Sequence, residues 1–370
     1  MNNKISPLPL VARHVSQRDI AKHAGVSTST VSRVLNHIDG ISDELRGHVL
    51  KAAAELGYHN PTTPGKLEQL HLLTISIEAR TTLHTFHSSI LDGVAAECRQ
   101  CGIQLSYSVV EPGAADRVAV LAQARERPGT SILLMSVDDR VLIEELLRLK
   151  IPVALINAEQ RDLPIDTFLP DNFTSGLLAT RYLLEHGHRR ILHVNEPTSK
   201  RRGTLQQRLN GYRAALEEVN IAYDPALVLE SILRVDDGHQ AMRTWLASRR
   251  APFSAVFCAN DASAIGVMRA FQEIGKQVPA DVSIIGYDDV PAASVLTPAL
   301  TTFHIDCEEM GQLAVQRMIY RALKPEAAPI RVEIASQLIE RQSVATYEPE
   351  GAVLQTEHHS FESSEASSDF

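Results

Sequence analysis

Apolar residues recur along the chain with two different periods, and the change of period divides it in two. From 16 to 58 they return every three or four residues in three short stretches, each preceded by a Ser. This spacing predicts amphipathic helices over 17–24, 28–35 and 43–56, because a Ser hydroxyl can cap the first turn of a helix. Gly25 separates the first two, and two helices joined at a Gly turn and braced by a third are typical of a helix-turn-helix unit. The residues expected to face inward are Ile20, Ala21, Ala24, Val31, Val34, Leu35, Leu45, Val49, Leu50, Ala53 and Leu56.

From 70 onward, short apolar runs alternate with longer amphipathic stretches. Such alternation predicts an α/β body in which the strands form parallel sheets. The body is long for one layered sheet, so we expect two similar parallel-sheet subdomains. The predicted strands are 70–77, 103–110, 131–135, 152–156, 190–194, 254–259 and 282–287.

Composition marks the boundaries between these units. The stretch HNPTTPGK is punctuated by Pro and Gly, which is typical of a linker, and the last residues are rich in Ser and acids with little apolar content. We therefore divide the chain into an N-terminal extension (1–15), a helix-turn-helix head (16–58), a hinge or linker (59–69), an α/β body (70–346) and a disordered acidic tail (347–370).

The charge is distributed unevenly over these units. The formal net charge is −9, but residues 1–66 carry eight Lys or Arg and five Asp or Glu, a balance of +3 that leaves −12 for the remainder. A basic head on an acidic body points weakly to a nucleic-acid partner. No apolar run is long enough to span a membrane and the first residues lack a signal-peptide core, so we expect a cytoplasmic protein with no membrane partner.

Two short motifs could suggest metal or redox chemistry. Cys98-x-x-Cys101 lies in a helical pattern and the other two cysteines are isolated, so we interpret all four as structural. His84-x-x-His87 lacks the Glu that follows the first His in zinc-protease helices. We therefore predict neither a metal nor a cofactor.

The second predicted helix carries the chemistry of the head. With its Val and Leu residues turned inward, Thr28, Ser29, Ser32 and Arg33 would face outward. Short hydroxyls at a helix N-terminus can donate to phosphate oxygens, and an exposed Arg can contact a guanine edge in two places. The plain alternative is the polar face of a small helical bundle, and these residues alone do not decide between the two.

Ligands of open α/β folds bind at the sheet edge where the strands end, and several polar residues of the body lie at such positions. Asn260 and Asp261, and Asp288 and Asp289, come at or just after the ends of predicted strands. Asp171 and Asn172 follow the stretch DTFLP before a helical run, and Arg208 opens a helical stretch. Carboxylates and an amide that converge with an Arg suit a ligand with several hydroxyls. A helix cap is the favoured alternative for Asp261, and a turn role is open for Asp289.

Taken together, these segments closely resemble the lactose/galactose repressor family of bacterial transcriptional regulators. In the head the matching elements include G-V-S-x-x-T-V-S-R-V-L-N and A-A-x-E-L-G-Y, in order and without gaps from 15 to 58. In the body they are R-L-x-G-Y-x-x-A-L, A-N-D-x-x-A-x-G, V-S-I-I-G-Y-D-D and P-x-L-T-T, so that the resemblance extends over about 15–344. It implies a body similar to periplasmic sugar-binding proteins.

The resemblance also implies roles in DNA binding. Thr28, Ser29 and Arg33 take positions that read bases. Leu67 aligns with a hinge-helix leucine that inserts into the minor groove, although Pro64 and Gly65 would make such a helix short, so a plain linker leucine stays open as the alternative. The positions that contact or support phosphates are Ser16, Ser27, Thr30, Ser32 and Asn36.

For the body, the resemblance implies an effector cleft between the two subdomains. Arg208, Asn260 and Asp288 would be effector ligands, with Asp171 or Asn172 as further candidates. The stretch ARTTLHTFHSS departs from the family pattern, but Phe86 and His87 within it can still line the cleft. The chain would cross between subdomains near 171, 301–306 and 325–331. The end of the chain has no leucine heptads, so we expect a homodimer formed through the body.

These features predict a repressor that binds a near-palindromic operator on double-stranded DNA as a homodimer and responds to a small sugar-type effector. A regulator that senses a purine or another non-sugar co-repressor is the alternative. A solute-binding receptor would carry a signal peptide and no DNA head. A nucleotide-dependent enzyme would carry G-x-G-x-x-G or a P-loop after a strand, and neither is present in the sequence.

Overall fold

The computed structural model describes residues 16–35, 40–56, 67–75, 86–110, 114–126, 130–197, 203–248 and 252–348. The predicted N-terminal extension and nearly all of the predicted tail lie outside these residues. The fold class expected from the sequence is confirmed: three helices form a head, and two parallel sheets with flanking helices form the body.

The head contains α1 (Gln17–Ala24), α2 (Thr28–Leu35) and α3 (Asp43–Glu55). Ser16 accepts a hydrogen bond from the Asp19 amide and Asp19 accepts one from the Ser16 amide, which forms a capping box at the start of α1. Gly25 ends α1 with φ +64°, a left-handed conformation that glycine adopts without strain. The predicted bounds of α1 and α2 are confirmed, and α3 ends one residue earlier than expected.

The small core of the head follows the predicted faces with one exception. Leu50 was expected to face inward, but it is 42% exposed, and Ala52 lies in the core instead. Leu45 and Leu56 pack only partly buried against this core. The buried members are Ile20, Ala21, Ala24, Val31, Val34, Leu35, Val49, Ala52 and Ala53.

The N-terminal subdomain is built on a six-stranded sheet in which every pair of neighbours is parallel. Its order is β11-β5-β4-β3-β1-β2. The strands are β1 (Gln69–Ile75), β2 (Gln104–Val110), β3 (Thr130–Met135), β4 (Val153–Ile156), β5 (Asp166–Pro170) and β11 (Arg331–Ile334). Its helices are α4 (Phe86–Cys101), α5 (Ala114–Glu126), α6 (Arg140–Arg148) and α12 (Cys307–Leu323).

The C-terminal subdomain has a parallel four-stranded sheet of order β7-β6-β8-β9. The strands are β6 (Ile191–Asn195), β7 (Val228–Glu230), β8 (Ala255–Cys258) and β9 (Ser283–Ile285). An antiparallel pair, β10 (Thr302–Ile305) and β12 (Ser336–Ile339), joins the two subdomains. The helices of this part are α7 (Asn172–Glu185), α8 (Gly203–Glu218), α9 (Val235–Ala247), α10 (Asp261–Glu273) and α11 (Pro291–Val295).

All seven predicted strands are present, with ends at most two residues from the predicted ones. The strands missed by the sequence analysis are β5, β7, β10, β11 and β12. β11 and β12 alternate between half-buried and exposed residues and contain charged or polar side chains, so they do not form an apolar run. Their position is determined by pairing partners that are distant in sequence.

The chain passes between the subdomains after β5, after β10 and between β11 and β12. The third passage was predicted at 325–331, and this is wrong. Those residues join α12 to β11 within one subdomain, because the Ile330 amide donates to the Asp166 carboxylate on β5 at 2.7 Å. Arg317 and Arg321 of α12 donate to the same carboxylate at 3.0 and 2.6 Å, which fixes the loop against the sheet.

Glycines let the main helix pairs approach closely. A Cβ on Gly176 of α7 would collide with the carbonyl of Arg208 on α8, and one on Gly211 would collide with the carbonyl of Phe173. A Cβ on Gly93 of α4 would likewise strike the carbonyl of Glu308 on α12. Larger residues at these positions would separate the helices and move every side chain they carry. Within the described part of the chain, no helix is long and apolar enough to cross a membrane.

Burial of His188 predicts a pH dependence of stability. His188 is 2% exposed, its Nδ1 lies 2.9 Å from the Ser254 hydroxyl and its Nε2 lies 3.2 Å from the Ala345 carbonyl. Burial lowers its pKa from 6.5 to about 4. Between these values the unfolded chain binds a proton that the folded chain does not, so the stabilising contribution is full above pH 6.5 and is lost as the pH falls towards 4.

We expect the free energy of unfolding to lose about 3 kcal/mol from this group across that window. The measurement is urea unfolding followed by fluorescence of Trp245, the single Trp of the chain, which lies in the same subdomain. His188→Gln keeps a donor and an acceptor but does not titrate, so its stability should fall less as the pH is lowered. An equal loss in both proteins would contradict the assignment.

Candidate nucleic-acid interface and ligand cleft

The second helix of the head presents the side chains predicted from the sequence. Val31, Val34 and Leu35 are buried against α1 and α3, whereas Thr28, Ser29 and Arg33 are exposed. Thr30 and Ser32 are half-buried, Ser16 and Ser27 are exposed, and Asn36 lies outside the described residues. The predicted orientation of the helix is confirmed, and the DNA-contacting roles of these residues stay a prediction.

Ser27 organises the hydroxyl groups at the start of α2. Its Oγ accepts a hydrogen bond from the Thr30 amide at 3.0 Å and lies 2.8 Å from both the Ser29 Oγ and the Thr30 Oγ1. This cluster caps the positive end of the helix dipole with neutral groups. An anion placed there would meet O–H and N–H donors together with a favourable potential.

Arg33 extends towards the loop between α2 and α3. Gly40 in that loop has φ +91°, and a Cβ on it would lie 3.4 Å from the Arg33 Nη2. A glycine therefore satisfies the left-handed backbone and leaves space beside the guanidinium.

Two histidines that the sequence analysis did not select hold α1 and α3 together. The His23 Nε2 lies 3.0 Å from the Glu55 Oε2, and the His48 Nε2 lies 3.1 Å from the Ala24 carbonyl at the end of α1. The hydrogen bond to His23 lowers the pKa of Glu55. These contacts hold α1 and α3 in position, and α2 packs against both helices.

Leu67, the predicted minor-groove leucine, is buried in the body. It is 4% exposed and belongs to the main core of the body, together with Leu70, Leu72 and Phe86. Glu68, the next residue, already accepts a backbone hydrogen bond from Gln104 at the start of the sheet. The burial favours a core role for Leu67 at the end of the linker, and the leucine wedge stays a prediction.

In the body, the buried guanidinium of Arg208 lies close to other residues predicted to bind the effector. Arg208 is 5% exposed, its Nε donates to the Asn172 Oδ1 at 2.9 Å, and its Nη1 donates to the carbonyl of Ala259. Its Cζ lies 3.7 Å from the centre of the Tyr287 ring. Arg208 and Asn172 are thus in direct contact, and Ala259 precedes Asn260.

The surroundings of Arg208 also include a chain of hydroxyl groups that reaches the crossover strand β12. The Tyr287 hydroxyl lies 3.1 Å from the Ser175 Oγ, which lies 2.6 Å from the Ser336 Oγ on β12. Burial raises the pKa of Tyr287 to about 12, and the nearby positive charge of Arg208 opposes that rise. Tyr287 therefore stays a neutral hydrogen-bonding phenol between the guanidinium and the crossover strand.

Several predicted acids and amides have local structural partners. Asp171 caps α7 by accepting from the Thr174 amide at 3.0 Å, and Asn260 caps α10 by accepting from the Ser263 amide at 2.9 Å. The expectation that Asp261 is the cap is therefore wrong. Asp261 is fully buried and accepts from the Thr302 hydroxyl at 2.6 Å and from the Val290 amide at 3.0 Å.

Two further acids adopt left-handed backbone conformations at the end of β9. Asp288 has φ +113° and Asp289 has φ +52°, and neither conformation is common for a residue with a side chain. The Asp289 carboxylate accepts from the Arg341 Nη2 at 2.5 Å, and it lies 3.2 Å from the His304 Nδ1. Strain at the ends of strands is a frequent feature of ligand sites, which keeps Asp288 among the candidates.

The facing edge of the N-terminal subdomain carries residues that sequence reasoning missed. Ser136 and Asn157 follow β3 and β4 with φ +57° and +52°. The Asn157 Nδ2 donates to the Ser136 Oγ at 2.9 Å, and the His87 Nε2 lies 2.5 Å from the same oxygen. The Asn157 Oδ1 is buried and has no hydrogen-bond donor among the described residues. Phe86 is packed in the core, with 9% exposure.

A surface depression of about 780 Å³ lies elsewhere, between β7 and α9, and includes Tyr223 and Trp245. None of the predicted effector residues lines it. The chemistry described above is instead at the carboxyl ends of the strands, where the two subdomains face each other. That position is the one expected for ligands of open parallel sheets.

Two family models match the chain. The head matches the model described as bacterial regulatory proteins, lacI family, over residues 17–60. The body matches a periplasmic binding protein-like domain over residues 180–344. Both agree with the fold described above.

The HTH-type transcriptional repressor PurR of Proteus mirabilis is 31% identical over 331 residues, which cover 89% of this chain and 96% of that protein. The chain belongs to the lacI family. PurR of Yersinia pestis is 32% identical over 334 residues, with the same coverage of both proteins. The chain is therefore a DNA-binding transcriptional regulator and not an enzyme, and the resemblance found in the sequence is confirmed.

Solved structures of this family superpose on most of the chain. The complex of the transcriptional regulator CelR with cellobiose has 28% identity and a TM-score of 0.69, and covers 89% of this chain and 99% of that one. The lac repressor dimer bound to operator and the anti-inducer ONPF has 26% identity and a TM-score of 0.67, with coverage of 90% and 100%. One relative is thus shown with a sugar, and another as a dimer on operator DNA.

The burial of Leu67 predicts that its truncation affects folding and not DNA bending. Leu67→Ala should lower the free energy of unfolding of the body by about 2–5 kcal/mol, because it removes a buried side chain and leaves a cavity. Leu178→Ala, at a position that is 38% exposed, is the control and should lower it much less. Urea unfolding measures both. If Leu67→Ala kept the stability of the body but bent the operator less than the wild type does, the result would support insertion of Leu67 into the minor groove.

Proposed function

We propose that this regulator is a repressor that binds a near-palindromic operator as a homodimer and changes its DNA affinity when a small sugar-type effector closes the cleft. The observation that carries the proposal is the exposed face of α2. It presents Thr28, Ser29 and Arg33 to solvent on a helix seated by buried Val31 and Leu35. The body behind it has two sheets whose strand ends face one another.

Recognition of DNA would be divided between short and long side chains. Thr28, Ser29 and the cluster around Ser27 are short and suit phosphate oxygens close to the helix N-terminus. Arg33 is the long side chain of this face, and its planar guanidinium suits the O6 and N7 atoms of guanine. Base selection would therefore depend mainly on Arg33 and on the shape of the operator.

The chemistry of the cleft supports an effector with hydroxyl groups. The Asn157 Oδ1 is a buried acceptor that a ligand O–H can satisfy, and Ser136 and His87 beside it combine donor and acceptor capacity. On the other side, Arg208 supplies guanidinium donors beside Asn172. Such mixed partners match a sugar hydroxyl, which donates and accepts at once. The CelR complex with cellobiose supports the same class.

A purine co-repressor is the second candidate, and a specific observation favours it. The PurR repressors match the chain at 31–32% identity over 89% of its length. Ring N–H groups of a purine could also donate to the Asn157 Oδ1. The two classes differ in whether the bound molecule presents several hydroxyls or a flat aromatic ring.

The crossings suggest how the two sites communicate. The N-terminal subdomain follows the DNA head directly in the chain and meets the C-terminal one through the passages at 171, 306 and 335. Bending at these passages would close the cleft and shift one N-terminal subdomain against its dimer partner. Because half-sites on DNA have a fixed spacing, such a shift would alter operator affinity.

Arg33→Ala tests the DNA face. We expect it to reduce discrimination between the selected duplex and random DNA by about 1–3 kcal/mol, because a contact with two hydrogen bonds to a guanine is lost. Fluorescence anisotropy of a duplex selected by the wild-type protein from a random library measures this, at several salt concentrations. Arg148→Ala removes the same charge from α6 in the body and should leave discrimination unchanged. Equal discrimination by the Arg33 and Arg148 variants would refute the base-reading role.

Asn157→Gly tests the cleft. Glycine suits the left-handed backbone at this position and removes the amide. A thermal-shift screen with cellobiose, monosaccharides and purine bases should find one class that stabilises the wild type, by about 2.7 kcal/mol at 100 times its dissociation constant. The variant should lose that stabilisation. Asn220→Gly, at an exposed residue with φ +57°, is the matched control and should keep it. A shift retained by the Asn157 variant would contradict the site.

A further inference from the structure

One carboxylate reaches across the cleft. Glu159 follows β4 of the N-terminal subdomain by three residues, and its side chain is 6% exposed. Gly203 is the first residue of α8 in the C-terminal subdomain. A Cβ on Gly203 would lie 3.6 Å from the Glu159 Cβ and 3.6 Å from its Oε2. The two subdomains are therefore in contact at this point.

The carboxylate is held from its own side by two arginines. Its Oε1 pairs with the Arg161 Nε, and its Oε2 lies 3.3 Å from the Arg331 Nη2. That second approach is an ion pair without hydrogen-bond geometry, and the Oε2 has no hydrogen-bond donor among the described residues. Contacts within the N-terminal subdomain thus orient the Glu159 side chain. Its Oε2 lies beside the first residue of α8, which belongs to the C-terminal subdomain.

The start of α8 is a favourable partner for this oxygen. α8 is a helix of 16 residues, and the amides of its first turn carry the positive end of the helix dipole. A carboxylate placed there is attracted by the dipole, most strongly where water is excluded. Moving the subdomains apart would return the carboxylate to water and remove that attraction.

We propose that Glu159 is a latch that holds the cleft closed by docking on the first turn of α8, and that closing this latch changes operator affinity. The second part rests on the proposed function. Burial of the carboxylate in the closed state costs desolvation free energy, which Arg161, Arg331 and the helix dipole offset. Because these contributions oppose one another, the net stabilisation of the closed state is smaller than any of them alone suggests, and additional contacts from a ligand can shift the population.

The contact is suited to a covalent test. The separation of 3.6 Å between the Cβ positions of 159 and 203 lies in the range that a disulfide spans. We expect the variant E159C/G203C to crosslink on mild oxidation. Cys101 is exposed and is replaced by Ser in all proteins compared, while the other three cysteines are buried. The single variant Glu159→Cys in the same background controls for oxidation elsewhere.

Operator affinity is then measured for the oxidised and the reduced double variant, with no effector present. The probe is a duplex selected by the wild-type chain. The oxidised form should differ from the reduced form by at least about five-fold, in line with ordinary coupling between sites. Absence of a crosslink would overturn the contact, and a crosslink that leaves the affinity unchanged would overturn the coupling. If the wild-type chain does not bind DNA selectively, the proposed function is contradicted. The contact between Glu159 and α8 is still tested in that case, since crosslinking requires no DNA.

A charge variant gives an independent readout of the opposite sign. Glu159→Gln keeps the shape of the side chain but removes the attraction to the arginines and to α8. The latch should open, so operator affinity should move in the direction opposite to that of the crosslinked protein. Glu145→Gln, which removes a carboxylate paired with Arg148 on α6 of the same subdomain, should leave operator affinity unchanged. A shift in the same direction as the crosslink would overturn the latch.

Discussion

The geometry of the body depends on the buried guanidinium of Arg208. It joins the first residue of α7, the carbonyl at the end of β8 and the Tyr287 ring after β9. The Tyr287 hydroxyl is within hydrogen-bonding distance of the Ser175 Oγ, and Ser175 in turn contacts the Ser336 Oγ on the crossover strand. Arg suits this position because its planar group makes several hydrogen bonds in fixed directions while its face stacks on a ring. Strand ends that are far apart in sequence are therefore held around one side chain.

The placement of Arg208 depends in turn on two glycines. Gly176 lets α7 approach the backbone of Arg208 itself, and Gly211, one turn further along α8, lets the helix approach Phe173. With a side chain at either position, α8 would move outward and the guanidinium would leave Asn172 and Ala259. Close packing of α7 against α8 thus fixes a polar group on the same face of α8. This links the structural glycines of the body to the chemistry of the cleft.

Much of the fold could be predicted from the sequence, because the head helices and the buried strands carry strong apolar periods. β11 and β12 could not, since they are half exposed and their pairing is decided by distant segments. The burial of Leu67 could not be predicted either, because a linker leucine and a core leucine look alike without a partner surface.

The candidate site divides in the same way. Arg208 and Asn260 lie in motifs with a recognisable pattern, whereas Ser136 and Asn157 follow short strands and carry no signature. Their relevance emerges only from the left-handed backbone and from an amide oxygen without a donor among the described residues. The choice between Asn260 and Asp261 as the helix cap turns on a shift of one residue, which the apolar pattern does not resolve.

Three buried charges around the cleft respond differently to their surroundings. Arg208 is held by Asn172, by the Ala259 carbonyl and by the Tyr287 ring, and so acts as a fixed anchor. Burial raises the pKa of Asp261 to about 7, against the opposing hydrogen bonds from Thr302 and Val290, so this carboxyl can become neutral. Glu159 keeps its ion pairs within one subdomain but touches the other, so of the three its environment changes most when the cleft opens. Under the latch proposed for Glu159, a fixed anchor beside the crossover strand and a charge in contact with the opposite subdomain would let a small molecule select one of two states, provided that their free energies are similar.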